Sequence, residues 1–371
     1  MNDDAAAQAA VWPEGELFLW EFYALSLQNV WETTGSSADR DVMIRESRRA
    51  LLKMDDVLPH PPFSKMRHWE LRGGICWFAG QNLVRARLVA AQGASAEEVS
   101  RFHEDSEVLF RAFAQSQSGV LEGHPGMSWP VDSLFGLQSL LIHDQQFGTH
   151  YFAPSYAKWK RTVVAGADRT TQLAPSFTYL DGRPRDVPRG CALSWSLAVL
   201  PALDEAYAAE QWASYRQHFA SCAAGLCLFR EYPVGHHRGA DADSGPMVAG
   251  YGMSATAFAL AAARANGDVE TAAALQRLGE LGGLPLWTFS GKRYWFGAVP
   301  LFDVFSLWVT TVPLGKDAKT PSPVAAPVVF VALLWLGALW LGFRWLKRAL
   351  SATANQTGAA PEALHPASRP G

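Results

Sequence analysis

Two aspartates stand close together just before an apolar helical stretch. Asp241 and Asp243 are two residues apart, in a turn that continues through Ser244, Gly245 and Pro246. Carboxylates so close repel each other, which can raise the pKa of one of them into a range useful for general acid catalysis. A helix cap combined with a turn is the alternative interpretation of the same pair.

Two further aspartates complete the candidate acid/base set. Asp132 follows a Trp-Pro pair at a helix start, where a capping carboxylate is the competing interpretation. Asp303 lies within an apolar helical stretch, and a charge buried there must pair with an arginine such as Arg189 or serve the site. We therefore expect Asp132, Asp243 and Asp303 to act as catalytic acids and bases.

Basic and aromatic side chains near other helix starts could bind a substrate. Arg189 could orient a carboxylate group or merely neutralise the aspartates, and Glu70 could instead form a salt bridge with Arg72. Aromatic rings could stack on a ligand or fill the core. The expected substrate-binding set is Glu70, Trp129, Arg189, Asp241, Tyr294 and Trp295. Its mixture of groups suits a hydroxylated substrate better than a nucleotide.

The cysteines give no metal or redox motif. Cys76, Cys191, Cys222 and Cys227 include no CxxC pair, and we interpret Cys222 and Cys227 as free buried thiols. Cys191 opens an apolar helix, where the helix N-terminus would lower its pKa, but a buried small side chain is the favoured interpretation. Histidines at metal-ligand spacing, a P-loop and a dinucleotide fingerprint are all missing from the sequence. We expect no metal and no cofactor.

The elements that must position these groups are helices. Segments such as 18–30 and 42–54 place large apolar residues at i, i+3 and i+4, while alternating strand patterns are scarce. The pattern also predicts single helices over 191–207 and 210–223. All-α is therefore the expected class.

The helices come in pairs with a repeat of 54 to 59 residues. Each pair is preceded by a proline, or by an arginine next to a glycine, and these residues are Pro13, Arg72, Pro130, Arg189, Pro246 and Pro300. In each pair the first helix is the more apolar, so it belongs inside, and the second carries the charges. Such a repeat predicts an (α/α)6 toroid over residues 11–315, with the inner helices starting at one shared cavity.

A C-terminal segment predicts a membrane anchor. Lys319 and Arg344 are separated by 24 residues without a charge, which is enough to cross a bilayer as a helix, and we place this helix at 324–346. Residues 351–371 are rich in Ala, Pro, Ser and Thr and are expected to form a disordered tail.

The side of the membrane is left open by two opposing features. Arg344, Lys347 and Arg348 outweigh Lys316 and Lys319, which by the positive-inside tendency puts the large domain outside the cytoplasm. The N-terminal stretch has no basic region followed by an apolar run, so no signal peptide is visible. We favour a cytoplasmic domain.

Four stretches between residues 66 and 312 carry a resemblance to a known family: 69–87 (WELRGGICWFAGQNLVRAR), 129–148, 241–268 (DADSGPMVAGYGMSATAFALAAARANGD) and 300–312. They resemble the linalool dehydratase/isomerase-like family of (α/α)6 proteins. The resemblance implies a central cavity that dehydrates or isomerises a terpene alcohol by acid/base chemistry without a cofactor. The family's cavity histidine and cysteines are matched to Gly73 or Gly74 and Leu137, and no early helix supplying a carboxylate is matched. No catalytic role is therefore taken from the family.

The composition of the chain excludes two classes of protein. The chain is 49% hydrophobic and carries 32 basic and 35 acidic residues, which excludes a disordered chain and a basic nucleic-acid binder. We expect a membrane-anchored lyase or isomerase that acts on a small hydroxylated molecule. A glycoside hydrolase-like enzyme and a non-catalytic glycan- or lipid-binding module remain alternatives, and the oligomeric state is left open.

Overall fold

A computed structural model describes residues 14–66, 71–236, 238–283, 285–288, 291–294, 297, 299–315, 340 and 344. This part of the chain is mostly helical. Its helices are α1 (Gly15–Thr34), α2 (Ser37–Val57), α3 (Gly74–Ala90), α4 (Ala96–Gln115), α5 (Asp132–Phe147), α6 (Phe152–Ala165), α7 (Gly190–Val199), α8 (Glu205–Phe219), α9 (Met253–Ala265), α10 (Val269–Gly282) and α11 (Pro300–Thr311). Short 3-10 turns span Phe63–Lys65 and Leu200–Ala202.

Three antiparallel hairpins lie between the later helices. Their strands are β1 (Ala220–Ala223) with β2 (Leu226–Phe229), β3 (Met247–Val248) with β4 (Tyr251–Gly252), and β5 (Leu286–Thr288) with β6 (Gly291–Arg293). Each hairpin connects successive helices, so the helical character expected from the sequence holds for the described residues.

The odd-numbered helices contact one another in a closed cycle. Each of α1, α3, α5, α7 and α9 contacts the next odd-numbered helix, and α11 contacts α1 again. The even-numbered helices pack against the odd helix that precedes them in the chain, and α2 and α4 also reach the following one. Among the described residues no even-numbered partner follows α11.

Burial follows the composition of the two helix types. Helix α3 is buried on nearly all sides, including its polar residues Gln81 and Asn82. Helix α4 buries one stripe that includes Phe102, Leu109 and Phe113, and exposes its charged face. A helix that is apolar on all sides needs neighbours on all sides, which explains why the odd-numbered helices lie inside.

Aromatic rings fill the middle of the cycle. Phe22 of α1 lies 4.8 Å from Trp308, 5.1 Å from Trp195 and 5.1 Å from Phe305, measured between ring centroids. Phe258 of α9 joins the same cluster, 4.9 Å from Phe305. These edge-on contacts tie together helices that are far apart in the sequence.

Two predicted helix boundaries are wrong. The stretch 191–207 is not one helix, because α7 ends at Val199 and a 3-10 turn with Pro201 precedes α8. Proline lacks the N–H that a continuing helix needs. Helix α8 starts after Asp204, whose side chain accepts a hydrogen bond of 3.0 Å from the Tyr207 N–H, and its end gives way to β1.

Cys222 and Cys227 form a disulfide bond rather than two free thiols. They are directly opposite each other in the β1–β2 hairpin, with an S–S distance of 2.02 Å. The sequence pattern predicts a helix that ends at Ala223, so it includes Cys222 but gives no reason to pair it with Cys227. The expectation of free thiols is therefore wrong for this pair.

The helices α1 to α11 belong to one compact unit, Met1–Ser322. In the second unit, Pro323–Gly371, only Trp340 and Arg344 are described, with the Arg344 guanidinium 4.5 Å from the Trp340 ring centroid. Within the described residues, none of the helices combines the length and apolar character needed to span a bilayer. The predicted segments 324–346 and 351–371 otherwise lie outside the described residues.

Candidate functional site

A cavity of about 100 Å3 lies where five of the odd-numbered helices begin. Its polar and reactive lining residues are Glu14, Cys76, His124, Asp132, Ser176, Arg189, Cys191 and Asp243. Its aromatic lining residues are Phe18, Trp129, Trp195 and Phe258. A cavity of this size holds a compact organic molecule rather than a polymer chain.

Asp132 is the first residue of α5 and faces this cavity. Its carboxyl group lies against the α-carbon of Gly123 and has no hydrogen-bond partner among the described residues. Burial raises the pKa of Asp132 to about 7; the charges of Asp243 and Glu14 act in the same direction, while His124 opposes them. A carboxyl group with such a pKa can both give and take a proton near neutral pH.

His124 forms an ion pair with Glu14 at the edge of the cavity. The Nε2 atom of His124 donates a hydrogen bond to Oε1 of Glu14, the residue that precedes α1. Burial lowers the pKa of His124, but the hydrogen bond and charge of Glu14 outweigh burial, so the pKa is raised overall. Trp129 packs its ring 5.1 Å from the imidazole and stacks on Phe177 at 4.7 Å.

Arg189 holds the acidic turn before α9 in place. Its buried side chain donates from Nε to Glu231 at 2.8 Å and from Nη2 to Asp241 at 2.7 Å. Its Nη1 atom lies 3.9 Å from the Asp243 carboxylate. Arg189 therefore connects three acidic side chains, and its role is closer to neutralising the aspartates than to binding a substrate.

The pKa values of the two neighbouring aspartates move in opposite directions. Burial raises the pKa of Asp241, but hydrogen bonds from Arg189 and Ser244 outweigh it and lower the pKa overall. Burial and the charge of Asp241 raise the pKa of Asp243. Asp243 is thus the member of the pair that is suited to proton transfer, and Asp241 is the member that is anchored.

Two cysteines line the cavity as neutral thiols. Burial raises the pKa of Cys76, with further contributions from Asp132 and Glu21. Burial and the charge of Glu231 raise the pKa of Cys191, whose Sγ donates to the Glu231 carboxylate at 3.0 Å. Thiols in this state are poor nucleophiles and can only donate or relay protons.

Two further polar groups in the cavity lack a partner. The Oγ atom of Ser176 and the Nε1 atom of Trp195 are buried, and in the part of the chain that the structure describes neither has a hydrogen-bond partner. Buried donors are nearly always satisfied in folded proteins, so each such group needs an explanation. Both residues line the cavity, so a ligand bound there could supply a partner for each group.

The cavity brings together part of the residue set expected from the sequence. Asp132, Asp243, Trp129 and Arg189 line it, and Asp241 reaches it through Arg189. Glu70 and Trp295 lie outside the described residues.

Asp303 and Tyr294 are not among the residues that line the cavity. The Asp303 carboxylate accepts hydrogen bonds from Arg293 at 3.2 Å and from the Tyr294 N–H at 2.7 Å, so its arginine partner is Arg293 and not Arg189. The Tyr294 hydroxyl donates to Glu280 at 2.9 Å. These contacts brace β6 and α10 against the start of α11.

Several site residues were missed at the sequence level. Glu14 and Cys76 line the cavity and are absent from the expected set, whereas His124 lies on the loop before α5, where residues leading into an inner helix are expected to face the cavity. Glu14, the residue before α1, places a carboxylate at the edge of this cavity. Their common signal is position, since all lie just before or within the first turn of an inner helix or on the loop leading to it.

Neither protein-family models nor curated proteins give a significant match to this chain. Among the described residues no group of three or more His, Cys, Asp or Glu side chains is arranged to hold a metal ion. The function is therefore argued from the cavity itself.

Proposed function

We propose that this chain is an (α/α)6 toroid with a C-terminal membrane anchor at 324–346, and that its cavity performs cofactor-independent acid/base chemistry on a small hydroxylated substrate. The closed cycle of odd-numbered helices, with the even-numbered helices outside, supports the architecture. The chemistry is that of a lyase or isomerase.

The observation that carries this proposal is the state of Asp132. Its carboxyl group faces the cavity, has no hydrogen-bond partner in the described part of the chain and has a pKa of about 7. A carboxyl group that only capped a helix would be bonded to backbone N–H groups and would have a lowered pKa. Asp132 has neither property.

The reaction follows from the groups around Asp132. The neutral carboxyl gives its proton to the substrate hydroxyl, so that the C–O bond breaks and water leaves. The Asp243 carboxylate then takes a proton from the neighbouring carbon, and the electrons of that C–H bond form the double bond. In an isomerisation the water adds back at another carbon.

The remaining lining residues fit the same substrate. The unpaired Ser176 hydroxyl and Trp195 N–H can bind the substrate oxygen, and the rings of Phe18, Trp195 and Phe258 surround the carbon skeleton. Aromatic faces also stabilise the positive charge that develops as the hydroxyl leaves. His124 and two thiols in the cavity are consistent with the proposed kinship to linalool dehydratase/isomerase-like proteins.

A glycosidase remains the second candidate because Asp132 and Asp243 line one cavity and two carboxyl groups are what that reaction needs. The volume of about 100 Å3 favours a compact alcohol over a sugar chain.

The test is turnover by the full-length protein in detergent, with allylic and tertiary alcohols in one panel and oligosaccharides in another. Asp132→Asn should lower kcat/KM for an alcohol by about a hundredfold or more while the protein stays folded. The matched control is Asp181→Asn, because Asp181 is on the surface beside Arg183. Release of reducing sugar would favour the glycosidase, ligand binding without turnover would favour a binding module, and full activity of Asp132→Asn would remove Asp132 from the mechanism.

A further inference from the structure

A further carboxyl group, on α1, lies next to the cavity lining. Glu14 and Phe18 line the cavity, and Glu21 is one helical turn beyond Phe18 on the same side of the helix. Its side chain is 1% exposed and is not among the cavity-lining residues. None of the chemistry assigned to Asp132 and Asp243 uses it.

Glu21 fits into a space left by a glycine of α3. A β-carbon placed on Gly80 would lie 2.5 Å from Oε1 and 2.6 Å from Cδ of Glu21. Any larger residue at position 80 would displace the carboxyl group. Gly80 is one turn beyond Cys76, which lines the cavity, so Glu21 lies between α1 and α3 one layer below the reactive groups.

One oxygen of the buried carboxyl group is not satisfied by any described residue. Its Oε2 atom has no hydrogen-bond partner among the described residues. The titratable groups that act on it or that it acts on are Asp132 of α5 and Cys76 of α3, and neither carries a positive charge. Burial raises the pKa of Glu21 well above its usual range, and the charge of Asp132 adds to this effect.

An unpartnered oxygen of this kind destabilises the fold, and among the described residues no hydrogen bond to Oε2 offsets the cost. An apolar residue of similar size would pack in the same space without an unsatisfied oxygen. Buried titratable groups of this kind, next to a site, are candidates for a functional role.

We propose that Glu21 is a proton-storing residue for Asp132. This inference rests on the proposed function. After Asp132 has given its proton to the leaving hydroxyl, Glu21 gives Asp132 a new proton and becomes a carboxylate. The proton that Asp243 took from the substrate carbon then reprotonates Glu21. We assign the relay to the Cys76 thiol, which is one helical turn from Gly80 and interacts electrostatically with both Asp132 and Glu21. No atom is gained or lost over the cycle.

The first test needs no substrate. Infrared spectroscopy of the Asp132→Asn protein at about pH 8 should detect the carbonyl band of a neutral carboxylic acid, since an ordinary glutamate ionises near pH 4. The band should disappear in the double variant that also carries Glu21→Gln. A band that is missing at this pH in Asp132→Asn would mean that Glu21 is ionised, and would overturn the proposal.

The second test measures turnover. Glu21→Gln keeps the size of the side chain but has no acidic proton, so kcat should fall about tenfold with KM unchanged. Glu21→Asp should restore part of the loss, and the surface variant Glu97→Gln should match the wild type. Wild-type kcat in folded Glu21→Gln would overturn the proposal. If the wild type turns over no alcohol, the proposed function fails, and the infrared result still decides whether Glu21 stores a proton.

Discussion

The carboxyl group of Asp132 lies against the α-carbon of Gly123, in the space that the side chain of any other residue would occupy. Only glycine fits at position 123, because the Asp132 carboxyl group comes so close to its backbone. This contact fixes the position of Asp132, the proposed general acid. Gly123 itself is held by a hydrogen bond of 3.0 Å from its N–H to the Met127 carbonyl.

Gly123→Ala should displace the Asp132 carboxyl group and lower kcat/KM about tenfold or more, because proton transfer depends on hydrogen-bond distance. The measurement is turnover of an alcohol substrate, with circular dichroism to verify folding. Gly279→Ala is the matched control, since a β-carbon there meets nothing within 4 Å. That change should leave activity unaltered and stabilise α10 by about 0.5 kcal/mol. Equal activity of Gly123→Ala and the wild type would contradict the assigned position of Asp132.

Much of the helix order could be predicted because apolar content decides which helices are surrounded by others. The starts of α3, α5 and α11 lie where the pattern put them, and the helix-start rule selected Asp132 and Asp243. The same rule selected Asp303, whose partner proved to be Arg293 on a short hairpin strand.

Contacts between distant segments could not be predicted. The Glu14–His124 pair joins two loops more than a hundred residues apart in the sequence, and nothing local encodes it. The fit of Glu21 against Gly80 depends on the distance between α1 and α3, which periodicity does not give. The hairpin that pairs Cys222 with Cys227 was hidden because its residues also suit a helix end.

Asp132 should make the protein less stable as the pH rises. Its pKa is raised from 3.8 to about 7 in the folded protein, so between these values the folded state favours the neutral form while the unfolded chain ionises freely. Asp132→Asn removes this difference. The variant should therefore be more stable than the wild type at about pH 8, by on the order of 4 kcal/mol, and equally stable below about pH 4.

Urea unfolding at a series of pH values measures this difference directly. Asp181→Asn is again the control, and its effect should not grow between pH 4 and 8 in the same way, because its carboxylate is at the surface. A stability gain for Asp132→Asn that is the same at every pH would mean that Asp132 ionises in the fold as it does in water.

Arg189 should matter more for stability than other paired arginines. Its side chain is buried, and Arg189→Met would leave the fully buried Glu231 without its cation. We expect a loss of about 3 kcal/mol in the free energy of unfolding, because removing one partner leaves the other charge buried and unpaired. Arg183→Met removes an exposed ion pair with Asp181 and should change stability little.

Urea denaturation of both variants gives the comparison. Replacing Arg189 and Glu231 together, with Met and Leu, should recover part of the loss, because neither buried charge then remains. If Arg189→Met and Arg183→Met cost the same, Arg189 would not be the centre of a buried ion network.

The disulfide bond between Cys222 and Cys227 indicates on which side of the proposed membrane anchor the helical domain lies. Disulfides persist in oxidising compartments and are rare in the cytosol. This favours the arrangement in which Arg344, Lys347 and Arg348 keep the C-terminal side in the cytoplasm and the helical domain lies outside. We therefore propose an extracytoplasmic domain, in place of the cytoplasmic one expected from the N-terminal stretch.

Thiol counting in protein taken directly from cells tests this placement. Alkylation after denaturation without reductant should label two cysteines, Cys76 and Cys191, and all four after reduction. The double variant Cys222→Ser/Cys227→Ser should label two in both cases. Closing so short a loop should stabilise the domain by about 2 kcal/mol, so reduction should lower the midpoint of unfolding. Four labelled cysteines without reductant would place the domain in a reducing compartment, because thiols there are kept reduced.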